Sequence, residues 1–166
     1  DSYLQYGIDG VIRIAAETLE TLQNNLQSKL QDQTQLDIAY LESLLHVWKR
    51  FRQFVADHMV LALECAKQET SDTKKKRYEK IAKICQNVTI NKPNTFCEAL
   101  QLFWFTYLFR SPFGAGCIGR LDQLLYPFYK HDCEMGIWDQ QEAEKMLEEM
   151  FTRMNEINTG DTLRNL

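Results

Sequence analysis

No apolar run in these 166 residues approaches the ~20 that a membrane-spanning helix needs; the longest, Leu102 to Phe109, is interrupted by Thr106. Basic excess is also missing. Net charge is -4 and the pI is near 5.4, which argues against a nucleic-acid surface. The one basic run, Lys74-Lys75-Lys76-Arg77, lies between Asp72 and Glu79 and reads as a solvated helix face. The five cysteines (Cys65, Cys85, Cys97, Cys117, Cys133) form an odd set without a C-x-x-C pair. With no signal peptide ahead of them, reduced thiols and a cytoplasmic location are expected, and the sequon Asn87-Val88-Thr89 is a chance match. Internal repeats, low-complexity tracts and a domain-dividing linker are absent too, so residues 1–166 are expected to form one piece without an internal domain boundary.

What is present is helical periodicity. Ile8, Val11, Ile12, Ala15, Leu19, Leu22, Leu26 and Leu30 recur at three- and four-residue steps, which predicts one long first helix. A second is predicted from about Gln33 to Ala66, with Leu41, Leu44, Leu45, Trp48, Phe51, Val55 and Met59 inward. A third turns Tyr78, Ile81, Ile84, Cys85 and Val88 inward. Two further starts carry capping-box signatures, Thr95 with Glu98 and Asp139 with Glu142; in each, two side chains satisfy each other's free backbone N–H groups. Strand signals are confined to a short extended piece near Cys117 to Arg120. The fold class is therefore mainly α.

The helix from Ala99 to Phe109 is apolar on nearly every side. Such a helix is normally buried. Each aromatic left in water forfeits roughly 1.5–3 kcal/mol, large against a total stability of ~5–15 kcal/mol. Four or five neighbouring helices are expected to leave part of it bare, so the chain either self-associates or belongs to something larger.

Chemical motifs are few. Gly114, Gly116 and Gly119 fit G-x-G-x-x-G, with Glu134 near the distance of a ribose-binding acid. However, the element before them begins with a capping box, and no second strand precedes Glu134. Cys117 sits between glycines but has no histidine nearer than His131 to act as a base, so it reads as a packed small residue. His131-Asp132-Cys133 lacks metal-ligand spacing, and His58 with Cys65 makes only two ligands. His46 reads as an ordinary helix residue. No catalytic residue and no metal site is expected in this chain.

Recognition adds what chemistry does not. Thr95-Phe96-Cys97-Glu98-Ala99-Leu100-Gln101-Leu102-Phe103-Trp104-Phe105 resembles the T-F-x-E-A-L-Q-x-x-W-F segment of glycyl radical enzymes, the pyruvate formate-lyase and diol dehydratase superfamily. Gly119-Arg120-Leu121-Asp122-Gln123 and Tyr126-Pro127-Phe128-Tyr129 resemble that family's G-R-x-D-Q-x-x-x-P-Y-Y. Gly136-Ile137 and Asn155-Glu156-Ile157 keep the same order. The resemblance implies that this is the helical portion, N-terminal to middle, of a ten-stranded α/β barrel. In that family a glycyl radical near the C-terminus generates a thiyl radical on a cysteine in a G-C-V-E-like loop. Gly116-Cys117-Ile118-Gly119 mimics that loop but ends in glycine and lies too far upstream, so Cys117 is not expected to be the thiyl cysteine.

The same resemblance makes Gly114 and Ala115 substrate-wall positions, with Cys117 a third, and has Arg120 and Asp122 brace the loop. Dehydratase-type relatives carry polar groups at the wall and pyruvate formate-lyase small ones. Gly114 and Ala115 point one way and Leu121-Asp122-Gln123 the other, so the substrate stays open. It implies a cytoplasmic, oxygen-sensitive, dimeric enzyme of anaerobic metabolism acting on a small molecule. Its radical would be installed by an S-adenosylmethionine-dependent iron–sulfur activase, with no cofactor bound by this chain and no membrane or nucleic-acid partner. The competing expectation is an autonomous helical binding module without catalysis, using Phe103 to Phe109 as a partner groove.

Overall fold

The computed structural model describes residues 2–24, 31–110 and 119–159. They form six helices: α1 (Ser2–Asn24), α2 (Gln31–Gln68), α3 (Asp72–Ile90), α4 (Phe96–Arg110), α5 (Leu121–Glu134) and α6 (Gln140–Thr159). Among the described residues there is no strand; Gly119 and Arg120 are not extended, and Cys117 and Ile118 lie outside them. The chain divides into two compact units, residues 1–93 and 94–166.

In the first unit α1, α2 and α3 all pack on one another. Ile8, Val11, Ile12, Ala15, Leu19 and Leu22 of α1 are buried or half-buried as their spacing predicts, while Leu26 and Leu30 lie outside the described residues. On α2 the whole expected stripe from Leu41 to Ala66 is covered. Tyr3 and Trp48 approach to 6.4 Å between ring centroids, and Trp48 meets Phe51 edge-on at 5.5 Å. Arg52 donates to Asp9 at 2.8 Å, tying α2 to α1. The other side of α2 leaves Leu36, Tyr40, Val47 and Leu61 exposed. On α3 the fully buried residues are Ala82, Cys85 and Val88, with Tyr78, Ile81 and Ile84 half-buried beside them. Burial pushes the Cys85 thiol up to about 11 by disfavouring its charged form.

The first helix departs from expectation in one way. It begins at Ser2, and its backbone breaks at Gly7, with φ 74° and ψ 174°. That region of backbone space is essentially open only to glycine. A Cβ there would come within 2.8 Å of the Lys92 backbone, so the start of α1 sits directly against the chain leaving α3.

The second unit contains α4, α5 and α6. Each residue from Phe96 to Phe109 is buried or half-buried, and only Arg110 of this helix is exposed. This corrects the expectation that part of the helix would be bare. The least covered side is a single stripe, Cys97, Gln101, Trp104 and Leu108, all half-buried. Trp104 stacks on Tyr107 at 5.9 Å, so aromatic faces of the helix cover one another.

Candidate functional site

Both capping boxes form. Glu98 accepts from the backbone N–H of Asn94 and Thr95 at 2.8 and 3.2 Å, and the Thr95 hydroxyl accepts from Glu98 N–H at 3.3 Å. Glu142 accepts from Asp139 N–H at 3.1 Å, and Asp139 from Glu142 N–H at 2.8 Å. These local bonds fix where α4 and α6 begin. Helix α5 ends at Glu134, and Gly136 two residues on turns the chain away with a φ of 66°, which suits a residue without Cβ. There Gly136 N–H donates to the Cys133 carbonyl and Ile137 N–H to the Asp132 carbonyl, a Schellman closure.

Asp132 is the buried hub of this unit. It is the only fully buried charged residue among those described, at 0% exposure. One carboxylate oxygen accepts from Phe96 N–H at 2.8 Å; the other lies 3.1 Å from Nδ1 of the exposed His131. Phe96 N–H is among the first-turn donors of α4 that have no helical acceptor. A carboxylate there satisfies the donor and meets the positive end of the helix dipole. Asp132 is thus a cap brought from 36 residues away. Reading His131-Asp132-Cys133 only as failed metal spacing misses this. The available signal is that Asp132 falls in line with buried Leu121 and Leu125 on the apolar face of α5.

Helices α5 and α6 and the start of α4 enclose an apolar groove of about 340 Å³. Its walls include Phe96, Leu125, Tyr126, Tyr129, Leu147 and Phe151, with Asp122, Gln140 and Glu144 at its rim. Tyr126 and Phe151 are 58% and 45% exposed, large values for aromatics beside a packed helix. The Tyr129 phenol is raised above its ordinary range by its hydrogen bond with the Cys133 side chain, then by burial.

Arg120 and Asp122 meet as a two-bond fork, Nε to Oδ1 at 3.0 Å and Nη2 to Oδ2 at 2.8 Å, with both side chains largely exposed. The Arg120 guanidinium holds the Asp122 carboxyl below the usual carboxylate range, and is itself raised by it. The structure therefore brings these two expected residues together. Gly114, Ala115 and Cys117 lie outside the described residues. Among the described residues no group of three or more His, Cys, Asp or Glu side chains is placed to hold a metal ion. No described helix is long and apolar enough to cross a membrane.

The family described as pyruvate formate lyase-like matches residues 1–163. A trans-4-hydroxy-L-proline dehydratase of Clostridioides difficile is 38% identical over 98 residues, covering 57% of this chain and 12% of that protein. An isethionate sulfite-lyase of Nitratidesulfovibrio vulgaris is 37% identical over 119 residues, covering 69% and 14%. The crystal structure of the C. difficile hydroxyproline dehydratase, with trans-4-hydroxy-L-proline bound, superposes with a TM-score of 0.78 at 29% identity, covering 87% of this chain and 18% of that one. The chain thus spans 12% and 14% of the two relatives' lengths.

Proposed function

The chain belongs to the pyruvate formate lyase-like family of glycyl radical enzymes, and from that premise we propose that it is a helical section of a radical lyase or dehydratase. The observation that carries this reading is the family match over residues 1–163. In it, α4 and α5 are scaffold, and the segment joining them carries Gly114, Ala115 and Cys117 as part of a substrate-pocket wall. The Arg120–Asp122 fork braces the end of that segment. Glycine and alanine offer no side-chain hydrogen bond there, so this part of the wall would discriminate by shape.

The family's glycyl radical, installed by an S-adenosylmethionine/iron–sulfur activase, would supply the bond-cleaving chemistry: C–C, C–O or C–N scission of a small molecule, with acyl transfer the variant of the lyase branch. This chain's own residues would position and enclose. The whole enzyme would act in the cytoplasm as a homodimer, with the activase as its protein partner.

The expected result for purified residues 1–166, mixed with such an activase and candidate substrates, is no turnover. Product formation by this piece alone would overturn the assignment of the chemistry to other polypeptide. The exposed apolar side chains of α2 and the open groove of the second unit favour a section that packs on more protein. Binding of a hydrophobic dye or self-association in size-exclusion chromatography is therefore expected. A second reading, an autonomous helical module without catalysis, is favoured by the cover over α4 from Phe96 to Phe109. It requires the opposite outcome, a monodisperse monomer that leaves the dye dark.

A further inference from the structure

The start of α4 is fastened twice. Locally, the Thr95 hydroxyl accepts from Glu98 N–H, and the Glu98 carboxylate accepts from the N–H groups of Asn94 and Thr95. That box already fixes where the helix begins. Asp132 adds a second hold from the last turn of α5, accepting from Phe96 N–H at 2.8 Å. The buried donor needs an acceptor, but a neutral oxygen would satisfy it, and a fully buried carboxylate is the costlier choice. What a local box cannot supply is a tie to another helix. The backbone of Asp132 is engaged as well, because its carbonyl accepts from Ile137 N–H in the bond that closes α5. One residue therefore joins the start of α4 to the end of α5 and to the turn that leads on to α6.

Helix α4 has particular need of such a tie. Apolar burial is non-directional and follows area. A helix that is apolar on nearly every side, and covered from Phe96 to Phe109, gains nearly the same burial at neighbouring rotations and tilts. A hydrogen bond to a short, buried carboxylate tolerates little such movement. The bond from the Cys97 thiol to the Met146 thioether of α6, at 3.5 Å, joins a weak donor to a weak acceptor and constrains less. We propose that Asp132 is a positioning residue that sets the register of α4 against α5. At 1.5 Å per residue α4 is about 22 Å long, so a tilt of about 5° at Phe96 moves Arg110 by about 2 Å. Arg110 and Leu121 are the helix ends that flank the proposed substrate wall, and the inference rests on that reading for its functional consequence. Misplacement by about 1 Å at a reacting centre can cost on the order of 100-fold in rate.

The test reads that register directly in residues 1–166. Arg110 and Gln123, both exposed, are replaced by p-acetylphenylalanine carrying nitroxide labels, which leaves every cysteine untouched. The distance between the labels is then measured by double electron–electron resonance. Asp132→Ala is expected to shift it by about 2 Å or to broaden its distribution. Asp132→Asn keeps an acceptor oxygen and should restore the parent distance. Asp132→Glu keeps the charge but adds a methylene, so it should shift the distance too, and it serves where the alanine variant does not fold. The control Thr95→Ala/Glu98→Ala removes the local box. It should lower the melting temperature and leave the distance in place, a split that a merely structural Asp132 would not produce. The proposal is overturned if the alanine and glutamate variants keep the parent distance, or if the asparagine variant or the box control moves it as far as alanine does. None of these distances depends on radical chemistry, so the register can fail with the enzymatic reading intact, and turnover by residues 1–166 would overturn that reading alone.

Discussion

The two compact units are fastened by different means. In residues 1–93 cohesion is spread along three long helices, and small residues such as Ala15, Ala62, Ala66 and Ala82 are buried as fully as the larger Phe51 and Val55. Many positions share the burial, and the fixed point is a backbone approach, Gly7 against Lys92. In residues 94–166 the aromatic helix is covered nearly all round, and one buried carboxylate fixes its start. Distributed packing tolerates the loss of single side chains. Point fastening does not, since removing one partner strands the other without water.

The sharpest way to break this contrast is Gly7→Ala. Alanine at that φ and ψ is strained, and its Cβ would press on backbone that cannot swing aside; about 3–4 kcal/mol of destabilisation is expected. Hydrogen-exchange mass spectrometry should place the loosening in α1 and α3. Next comes Asp132→Ala, which leaves the buried Phe96 N–H without an acceptor and should cost about 2–3 kcal/mol, with faster exchange at the start of α4. Asp132→Asn keeps an oxygen acceptor and should lose clearly less; equal loss from both variants would mean the charge matters more than the bond. Thr95→Ala removes one half of a local box and should cost about 1 kcal/mol in urea unfolding.

The smallest effect is confined to alkaline solution. The Cys85 thiol is raised from 9.0 to about 11 on folding, so its neutral form contributes stability that is complete below pH 9.0 and is lost as pH rises toward 11. Cys85→Ala should therefore flatten the decline in melting temperature between those values while lowering the plateau beneath it. A thiol reagent on the native chain at neutral pH should modify the half-buried Cys65, Cys97 and Cys133 before Cys85.

Much of this was legible in the residues, for a local reason. Helix positions follow from contacts three and four residues apart, and both capping boxes close within three residues, so spacing alone located α2, α3, α4 and α6. The family followed from the run Thr95 to Phe105 and from Gly119 to Gln123. The break at Gly7 was not legible, because its cause is the backbone at Lys92, far along the chain. The same holds for Asp132, which looks in sequence like any acid near a helix end.

Composition, periodicity and short motifs thus determined that this chain is helical, where its helices start, and which enzymes it resembles. All of that information sits within a few residues of where it acts. Only the tertiary structure decided that an aspartate caps a helix 36 residues before it and that α4 is covered almost all round. Those outcomes depend on which surfaces meet in space, and distance along the chain does not encode that.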